Sequence, residues 1–557
     1  MLVGLNGRWK APIGYFFTNH ISAEQHANLI KSSFCRVANS GVDVRAVVAD
    51  GLSANVRSAI LLGCNLSLDE LQTFFPHPLY PERVIYFVFD AAHMLKLMRN
   101  LIAERKILLY KTENNDFETI EWRYIVELHK IQSEESLYLA NKISGRHINY
   151  QNVKMKVSLA AQTLSASVAT AIEFLRDEMH LPQFAGSEGT VRFIRIIDRL
   201  FDLLNSKNPL AKGYKAPLSI SNRQFWEPCL NKACNYLKNL YEQKTMKPLV
   251  DGRKSQGPLG LIITATSVLN LSYDLLLTQE MKYLLTFKLS QDHLEVFFSL
   301  IRRRGGWNNN PNTEQFRASL RALIIKNNIP YSRNSNSINL DGTETLQLEP
   351  CSRCPVDLKS RSDDSFVNDP DFLLAVRNLE RSEELSDPDW RMNCLVYTAE
   401  YVVRHLKIDC KKCHNALLAD SRTYPDRESL KFLRCRNNGG LIIPSKGVVE
   451  VIKATEKAFR FIMPSPKLME TLPPTRFLDI RIQTAVLSHF QSKIEYIFPQ
   501  LCDHALDFDI SLFDDHVTHL IREITKYFLR ISKAAHSCQI APPENRFKGN
   551  VFKKDEM

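Results

Sequence analysis

Asp292 and Glu295 stand three residues apart beside a helical pattern in which Leu294, Phe297, Phe298 and Ile301 recur at i, i+3, i+4 and i+7. Asp292, Glu295, Ser299 and Arg302 form a polar stripe along that apolar face. Carboxylates one turn apart in this setting can hold Mg²⁺, a hard cation that takes oxygen ligands and usually only one or two from protein. The same pair also suits a solvated flank with an Asp in the cap region.

Two further acids end apolar runs. Val44-Arg45-Ala46-Val47-Val48-Ala49-Asp50 reads as a buried strand closing on an Asp, followed by a Gly51 turn and a helix start capped by Ser53. Carboxylates at the C-terminal end of a central strand face the crevice where α/β sheets bind ligands. An Asx turn or a helix cap is the alternative use of Asp50. Val84 to Phe89 followed by Asp90 repeats the unit, and the next helix puts His93, Lys96 and Asn100 on one face. Lys96 near a helix start can meet a phosphate, and Asp90 a guanine edge or a metal. A capping Asp and an exposed Lys are the plainer roles.

Asp202 and Asn205 share a helix face and can together hydrogen-bond a base, although a helix ending at its Asn cap explains them as well. No G-x-x-x-x-G-K-[ST] loop and no Asn-Lys-x-Asp is present, so no motif proposes a nucleotide site. Cys410 and Cys413 form one C-x-x-C pair and Cys351 and Cys354 another; Cys394, His405 and Cys435 lie nearby in sequence. Two such pairs can hold tetrahedral Zn²⁺, but their separation of 56 positions (410 minus 354) exceeds that of a zinc ribbon. Buried free thiols are the alternative.

The elements that must position these groups are those of a globular chain. Hydrophobic residues make up 44% and charged residues 24% of the 557 positions, which excludes wholesale disorder. A net charge of +11 favours a polyanionic partner such as nucleic acid. Twelve Cys in a chain this long do not suggest a disulfide framework. Residues 1 to 8 lack a leader pattern, and no stretch approaches 18 uninterrupted apolar residues. Leu259 to Tyr283 is interrupted by Ser267, Asn270 and Ser272 and reads as a buried helix, so we expect no membrane partner. Pro12 to Phe17 reads as a strand, and Met155 with Val157, Ala160, Ala161, Leu164 and Val168 as core.

The run Thr286 to Phe298, followed by Arg304-Gly305-Gly306-Trp307-Asn308-Asn309-Asn310-Pro311, resembles the C-terminal RNase H segment of P-element-type DNA transposases, the group that includes the THAP-domain transposases. The resemblance covers residues 1 to 320 well. It implies an α/β RNase H-like core interrupted by a large all-α insertion that binds GTP and followed by a mostly helical C-terminal region. The expected divisions are core at 1–90 and 285–331, insertion at 91–284, a polar linker at 332–390, a helical region at 391–540 and a tail at 541–557.

The resemblance also implies roles. Asp50 and Glu295 match catalytic acids that hold Mg²⁺. Asp90, Lys96, Lys156, Ser165, Asp202, Asn205 and Asp292 match positions associated with the nucleotide, Lys156 and Ser165 through Lys154-Met155-Lys156-Val157 and Ala161-Gln162-Thr163-Leu164-Ser165. The implied activity is Mg²⁺-dependent cleavage and transfer of DNA strands, with GTP as a cofactor that is not hydrolysed. Transposon-end DNA, a homo-oligomer and a nuclear location follow from it. The family's first catalytic Asp lies upstream of the position matched by Asp50, yet residues 1 to 42 hold no Asp and only one acid, Glu24. The expectation is therefore a chain that begins inside the RNase H fold and does not cut DNA as written. A host-retained, non-catalytic DNA- or GTP-binding derivative is the alternative.

Overall fold

The computed structural model describes residues 1–7, 9–18, 21–135, 137–139, 141–252, 255–306, 308–326, 389–420, 426–437, 439–462, 475–490, 493–501, 504 and 516–540. Cys351, Cys354, the linker expected at 332–390 up to residue 388 and the tail expected at 541–557 lie outside these. The chain divides into two compact units: Met1–Glu127, Arg146–Ile172 and Gln183–Glu349 form the first, and Leu128–Gly145, Glu173–Pro182 and Pro350–Met557 the second.

The first unit opens with a short antiparallel pair, β1 (Leu2–Val3) and β2 (Lys10–Ala11). The strand expected over Pro12 to Phe17 is not formed. Pro12 and Gly14 interrupt the ladder, and Ile13, Tyr15, Phe16 and Phe17 are exposed. Helix α1 (Ala23–Ala38) starts at a capping box, with Ser22 Oγ accepting from the Gln25 amide and Gln25 Oε1 from the Ser22 amide.

A three-stranded sheet follows, built from β3 (Ala46–Ala49), β4 (Phe74–Pro76) and β5 (Val84–Phe89), with α2 (Ser53–Leu62) between the first two. The order is β3-β5-β4; β3 runs parallel to β5 and β4 antiparallel to it. Five of the six β5 residues are buried, as expected of a central strand covered on both faces. Helix α3 (Ala91–Arg105) leaves directly from β5.

The stretch expected to be wholly helical from about 105 to 285 carries a second sheet, which corrects the all-α insertion. β6 (Ile107–Lys111) and β7 (Phe117–Glu121) form a hairpin with Leu108 opposite Ile120, and β8 (Leu240–Glu242) joins the other edge of β6. Two short apolar runs flank the polar Thr112-Glu113-Asn114-Asn115-Asp116 turn, where Asn115 takes φ 64° and Thr112 N donates to Asp116 O at 2.8 Å. These runs are too short for helices and have the composition of strands. Gly189 lets the next helices close on this sheet: a Cβ there would sit 2.3 Å from the Thr119 carbonyl oxygen.

Helices α4 (Arg123–Glu135), α5 (Gly145–Ile148), α6 (Val157–Thr163), α7 (Ala166–Asp177), α8 (Glu188–Leu204), α9 (Arg223–Lys238) and α10 (Gln256–Leu277) make up most of the rest of the insertion. Leu159, Ala160, Leu164 and Val168 are buried as expected, but Met155 is exposed in the turn before α6. α10 is long and apolar enough to cross a membrane, yet it packs on α3, α9 and β5 as a core helix. Its hydroxyls take over where β4 ends. Thr264 Oγ1 accepts from the Phe89 amide at 3.2 Å and donates to the Phe89 carbonyl at 3.0 Å, and Ser267 Oγ donates to the Phe87 carbonyl at 2.5 Å. The unit ends with α11 (Asp292–Arg304) and α12 (Thr313–Lys326), which share Phe297, Leu300, Ile301, Leu320 and Leu323 as a core.

The second unit is helical where described: α13 (Asp389–His405), α14 (Lys411–Ala416), α15 (Lys431–Arg436), α16 (Lys446–Ile462), α17 (Thr475–Phe490), α18 (Ile494–Ile497) and α19 (His516–Ile540). It also takes in 128–145 and 173–182 from the expected insertion. α16 packs against α17 and α19, and its buried Glu456 pairs with Arg460 and Arg391. Pairing is what makes a buried carboxylate tolerable.

Candidate active site

Adjacent parallel strands deliver their C-terminal residues to one edge of a sheet. Ala49 pairs with Phe89, and the Asp90 amide donates to the Ala49 carbonyl at 2.9 Å, so Asp50 and Asp90 leave the sheet side by side. Asp50 Oδ1 accepts from the Leu52 amide at 3.1 Å and from Asn55 Nδ2 at 2.6 Å, which makes the Asx turn. Ser53 does not cap α2 as expected: Leu52 stands at that position without a side-chain cap bond, because the Asp50 turn already engages the Leu52 amide.

Asp90 is only 3% exposed and caps α3 by accepting from the Ala92 amide at 3.3 Å. Burial, with Asp292 beside it, pushes its carboxyl up to about 7, against the pull of the Ala92 amide and Lys96. Six residues along, in the second turn of α3, Lys96 is buried as well, where an exposed Lys was the plainer expectation. Lys96 also acts on Glu295, whose carboxyl is raised by partial burial and by Asp292 and drawn back down by Lys96 and Arg302. His93 links this group to Asp50: burial and Lys96 lower its pKa while Asp50 raises it. The starts of α3 and α11 are thus electrostatic neighbours through Asp90, Lys96, Asp292 and Glu295, and Asp50 joins them only through its effect on His93.

The nucleotide candidates adjoin the same place. Lys207 Nζ lies 3.6 Å from Asp292 Oδ2, just past the C-terminal end of α8. That end is fixed by Thr286, whose Oγ1 accepts from the Ser206 amide at 2.9 Å and donates to the Leu203 carbonyl at 2.6 Å. Asn205 is the C-terminal cap residue of α8. Asp202 stands 3.8 Å from Lys215 Nζ, and burial together with Asp198 pushes its carboxyl up to about 6. Asp198 accepts a hydrogen bond from the Ala166 amide, which ties α8 to the start of α7 next to Ser165. Ser165 Oγ itself donates to the Gln162 carbonyl at 2.9 Å. Lys156 is the N-terminal cap residue of α6, without a side-chain cap bond, and α6 packs on α3.

Arg99, which sequence reasoning passed over, lies further along α3 against the turn before α6. It is fully buried on α3, donates from Nη2 to the Lys154 carbonyl at 3.2 Å and sits over the Tyr150 ring, while Nη1 has no partner among the described residues. Its only signal in sequence is a charged residue on the apolar side of α3, which Met94, Leu95, Met98 and Ile102 also occupy.

The donor chemistry fits both implied groups. Asp90, Asp292 and Glu295 feel one another's charge, and Asp90 and Glu295 that of the buried Lys96; carboxylates are the hard oxygen donors Mg²⁺ takes, although no three of these oxygens already converge as a metal-ready group among the described residues. A buried guanidinium nitrogen without a partner, Lys207 and the Asp202/Asn205 pair offer cations for phosphates and acceptors for a base edge. Cys410 and Cys413 belong to the second unit and are no part of this site.

Models of known families match in the order of these elements. The TNP-like RNase H N-terminal domain matches residues 1–63, the TNP-like GTP-binding insertion domain 92–217, the TNP-like RNase H C-terminal domain 287–321, and the C-terminal domain of DNA transposase THAP9 380–539. The chain belongs to the P-element/THAP9-type transposase family. Human DNA transposase THAP9 is 27% identical over 538 residues, spanning 95% of this chain and 58% of the relative. The Drosophila melanogaster transposable element P transposase is 27% identical over 468 residues, 82% of this chain and 56% of the relative. This family member thus spans less than three fifths of the length of those relatives. Among solved structures, the Drosophila P element transposase strand transfer complex superposes with a TM-score of 0.50 at 26% identity, over 58% of this chain and 69% of that one. The RNase H matches fall on the segments that carry Asp50 and Glu295, and the GTP-binding match on the segment that carries Lys96, Lys156, Ser165, Asp202 and Asn205.

Proposed function

We propose that this transposase-family chain supplies the divalent-metal and GTP-binding parts of a nuclear enzyme that cleaves and joins DNA strands, with GTP bound as an organiser and left intact. The observation that carries the reading is the 3.6 Å ion pair of Lys207 with Asp292, which joins the α8 end that holds Asp202 and Asn205 to the helix start that holds Asp292 and Glu295. Asp50 and Glu295 would hold Mg²⁺. Bound divalent ions supply charge stabilisation for the attacking and leaving oxygens of a phosphodiester.

The protein's own residues do the rest. Lys96 offsets the charge of Asp90 and Glu295. Burial holds the Asp90 carboxyl up at about 7, so protons compete with a cation for it near neutral pH. Lys207 bridges from Asp292 toward the nucleotide side, so occupancy of one half biases the other. The net charge of +11 suits the DNA backbone. The Drosophila relative is described in a strand transfer complex, which supports DNA as the partner, and we extend the family's homo-oligomer to this chain.

The second reading is a host-retained derivative that binds DNA or GTP without cutting. Nucleotide binding and nicking of a supercoiled plasmid in Mg²⁺, measured on the same preparation, separate the two. GTP binding without nicking selects the derivative, and GTP binding with nicking that Glu295→Gln abolishes selects the enzyme. Absence of GTP binding contradicts the enzyme reading, and absence of both GTP and DNA binding contradicts the derivative.

A further inference from the structure

We propose that Cys410, Cys413, His504 and His516 form a closed, structural Zn²⁺ site in the second unit. The sequence offered only half of it, the Cys410/Cys413 pair, and suggested Cys394, His405 and Cys435 as neighbours. The structure gives the first two of those other work. Cys394 Sγ bonds the Tyr138 carbonyl in the core, and His405 Nδ1 the Tyr401 carbonyl one turn back on α13. The partners of the cysteine pair come instead from about a hundred positions further on. Cys410 Sγ lies 3.0 Å from His504 Nε2, Cys413 Sγ lies 3.4 Å from His516 Nδ1, and the two imidazoles are 4.5 Å apart. The ligand atoms of all four residues fall within 4.8 Å of one another.

That geometry is close to what the metal demands. Zn–S bonds of about 2.3 Å and Zn–N bonds of about 2.0 Å set tetrahedral edges of roughly 3.3–3.8 Å, so a shift of about 1 Å in the widest pair completes the cage. The ligand set is two thiolates and two neutral imidazoles, the set that structural zinc takes. With four protein ligands and no open position, the ion would hold structure and leave catalysis alone.

The fold explains why these residues are gathered. Cys410 caps α14 and Cys413 lies inside it, so a C-x-x-C spacing puts both sulfurs on one end of a short helix. His504 follows the turn Pro499–Leu501 that packs on α14, and His516 is the first residue of α19, which packs on α14 as well. α14 has only six residues, too few to be stable alone. A metal that ties it to two segments about a hundred residues away supplies the missing stabilisation, and such long closures gain the most from a cross-link. Cys413 and His504 are buried while Cys410 and His516 are partly exposed, which gives zinc a path inward.

The proposal is independent of the DNA and GTP reading, and so is its test. The full chain, expressed without a histidine tag, is assayed for zinc by mass spectrometry and, after exchange, for the visible spectrum of bound Co²⁺. We expect about one zinc per chain, and a cobalt spectrum with thiolate charge transfer and the intense bands of a tetrahedral ion. Changing Cys410 to Ser should weaken the charge transfer by about half, since one of two thiolates is lost. Because loss of a buried ligand can unfold the unit, wild-type protein is also stripped with a chelator and refilled. Melting should fall on stripping and recover with Zn²⁺ but not with Mg²⁺. A folded wild-type chain that carries no zinc and takes up no cobalt overturns the proposal. So does zinc retained at full stoichiometry when Cys410 and Cys413 are both Ser, or a Cys410–Cys413 disulfide in the protein isolated under reducing conditions.

Discussion

Lys207 and Asp292 stand 3.6 Å apart, although 85 positions (292 minus 207) separate them in the chain. Lys207 follows the helix that carries Asp202 and Asn205; Asp292 begins the helix that carries Glu295. The proposed nucleotide and metal regions therefore share a border, and a ligand on one side changes the field felt on the other.

Replacing Asp202 by Asn should weaken GTP binding by about 10- to 100-fold, the worth of one hydrogen bond to a charged group. Direct titration of GTP into the full chain measures it. ATP should bind the wild type more weakly than GTP and be less affected by the change, since adenine lacks the donor edge that a carboxylate reads.

The raised carboxyl of Asp90 has a signed consequence. A group whose folded pKa of about 7 exceeds the ordinary 3.8 binds its proton more tightly when folded. Its contribution to stability is therefore greatest below pH 4 and is lost as pH climbs to 7, by on the order of 4 kcal/mol at most. Added Mg²⁺ should restore stability above pH 7 and do little at pH 5. Melting curves across this range check both, and Asp90→Asn should flatten the pH slope and remove the Mg²⁺ effect.

Thr264→Val keeps the shape of α10 but leaves the Phe89 amide and carbonyl without their buried partner. We expect a loss of about 1–3 kcal/mol, read by denaturant unfolding, while Ser267→Ala costs less because it deprives only carbonyls, those of Phe87 and Ile263, and no amide.

Gly189→Ala should destabilise the first unit by roughly 1–3 kcal/mol, because the new methyl group would sit on the Thr119 carbonyl and backbone would have to move. The thermal midpoint of the full chain reads this directly. Gly213→Ala provides the contrast: φ of 64° strains it, but no atom lies within 4 Å.

The strand-Asp-helix units at Asp50 and Asp90 were legible because short apolar runs with an acid at the end have few other structural uses. The helix of Asp292 and Glu295 was equally plain from its apolar spacing. The β6–β7 hairpin was missed: Leu108-Leu109-Tyr110 lies between helices, and its partner strand appears only when the polar turn at Thr112 to Asp116 is given weight. Arg99 and Lys96 could not be read as buried, since burial of a cation is decided by what packs over it. His504 and His516 were invisible as partners of Cys410, because nothing local ties residues about a hundred positions apart.

The central claim is that the acids at the ends of β3 and β5 and at the start of α11 hold a divalent cation. Titration of Mn²⁺ into the full chain, followed by loss of the free-ion electron paramagnetic resonance signal, tests it most directly. The account predicts saturable binding that Mg²⁺ competes away, weakened about 10- to 100-fold by Glu295→Gln with the fold intact by circular dichroism. Mn²⁺ binding unchanged by Glu295→Gln, and unchanged again by Asp50→Asn, would contradict it.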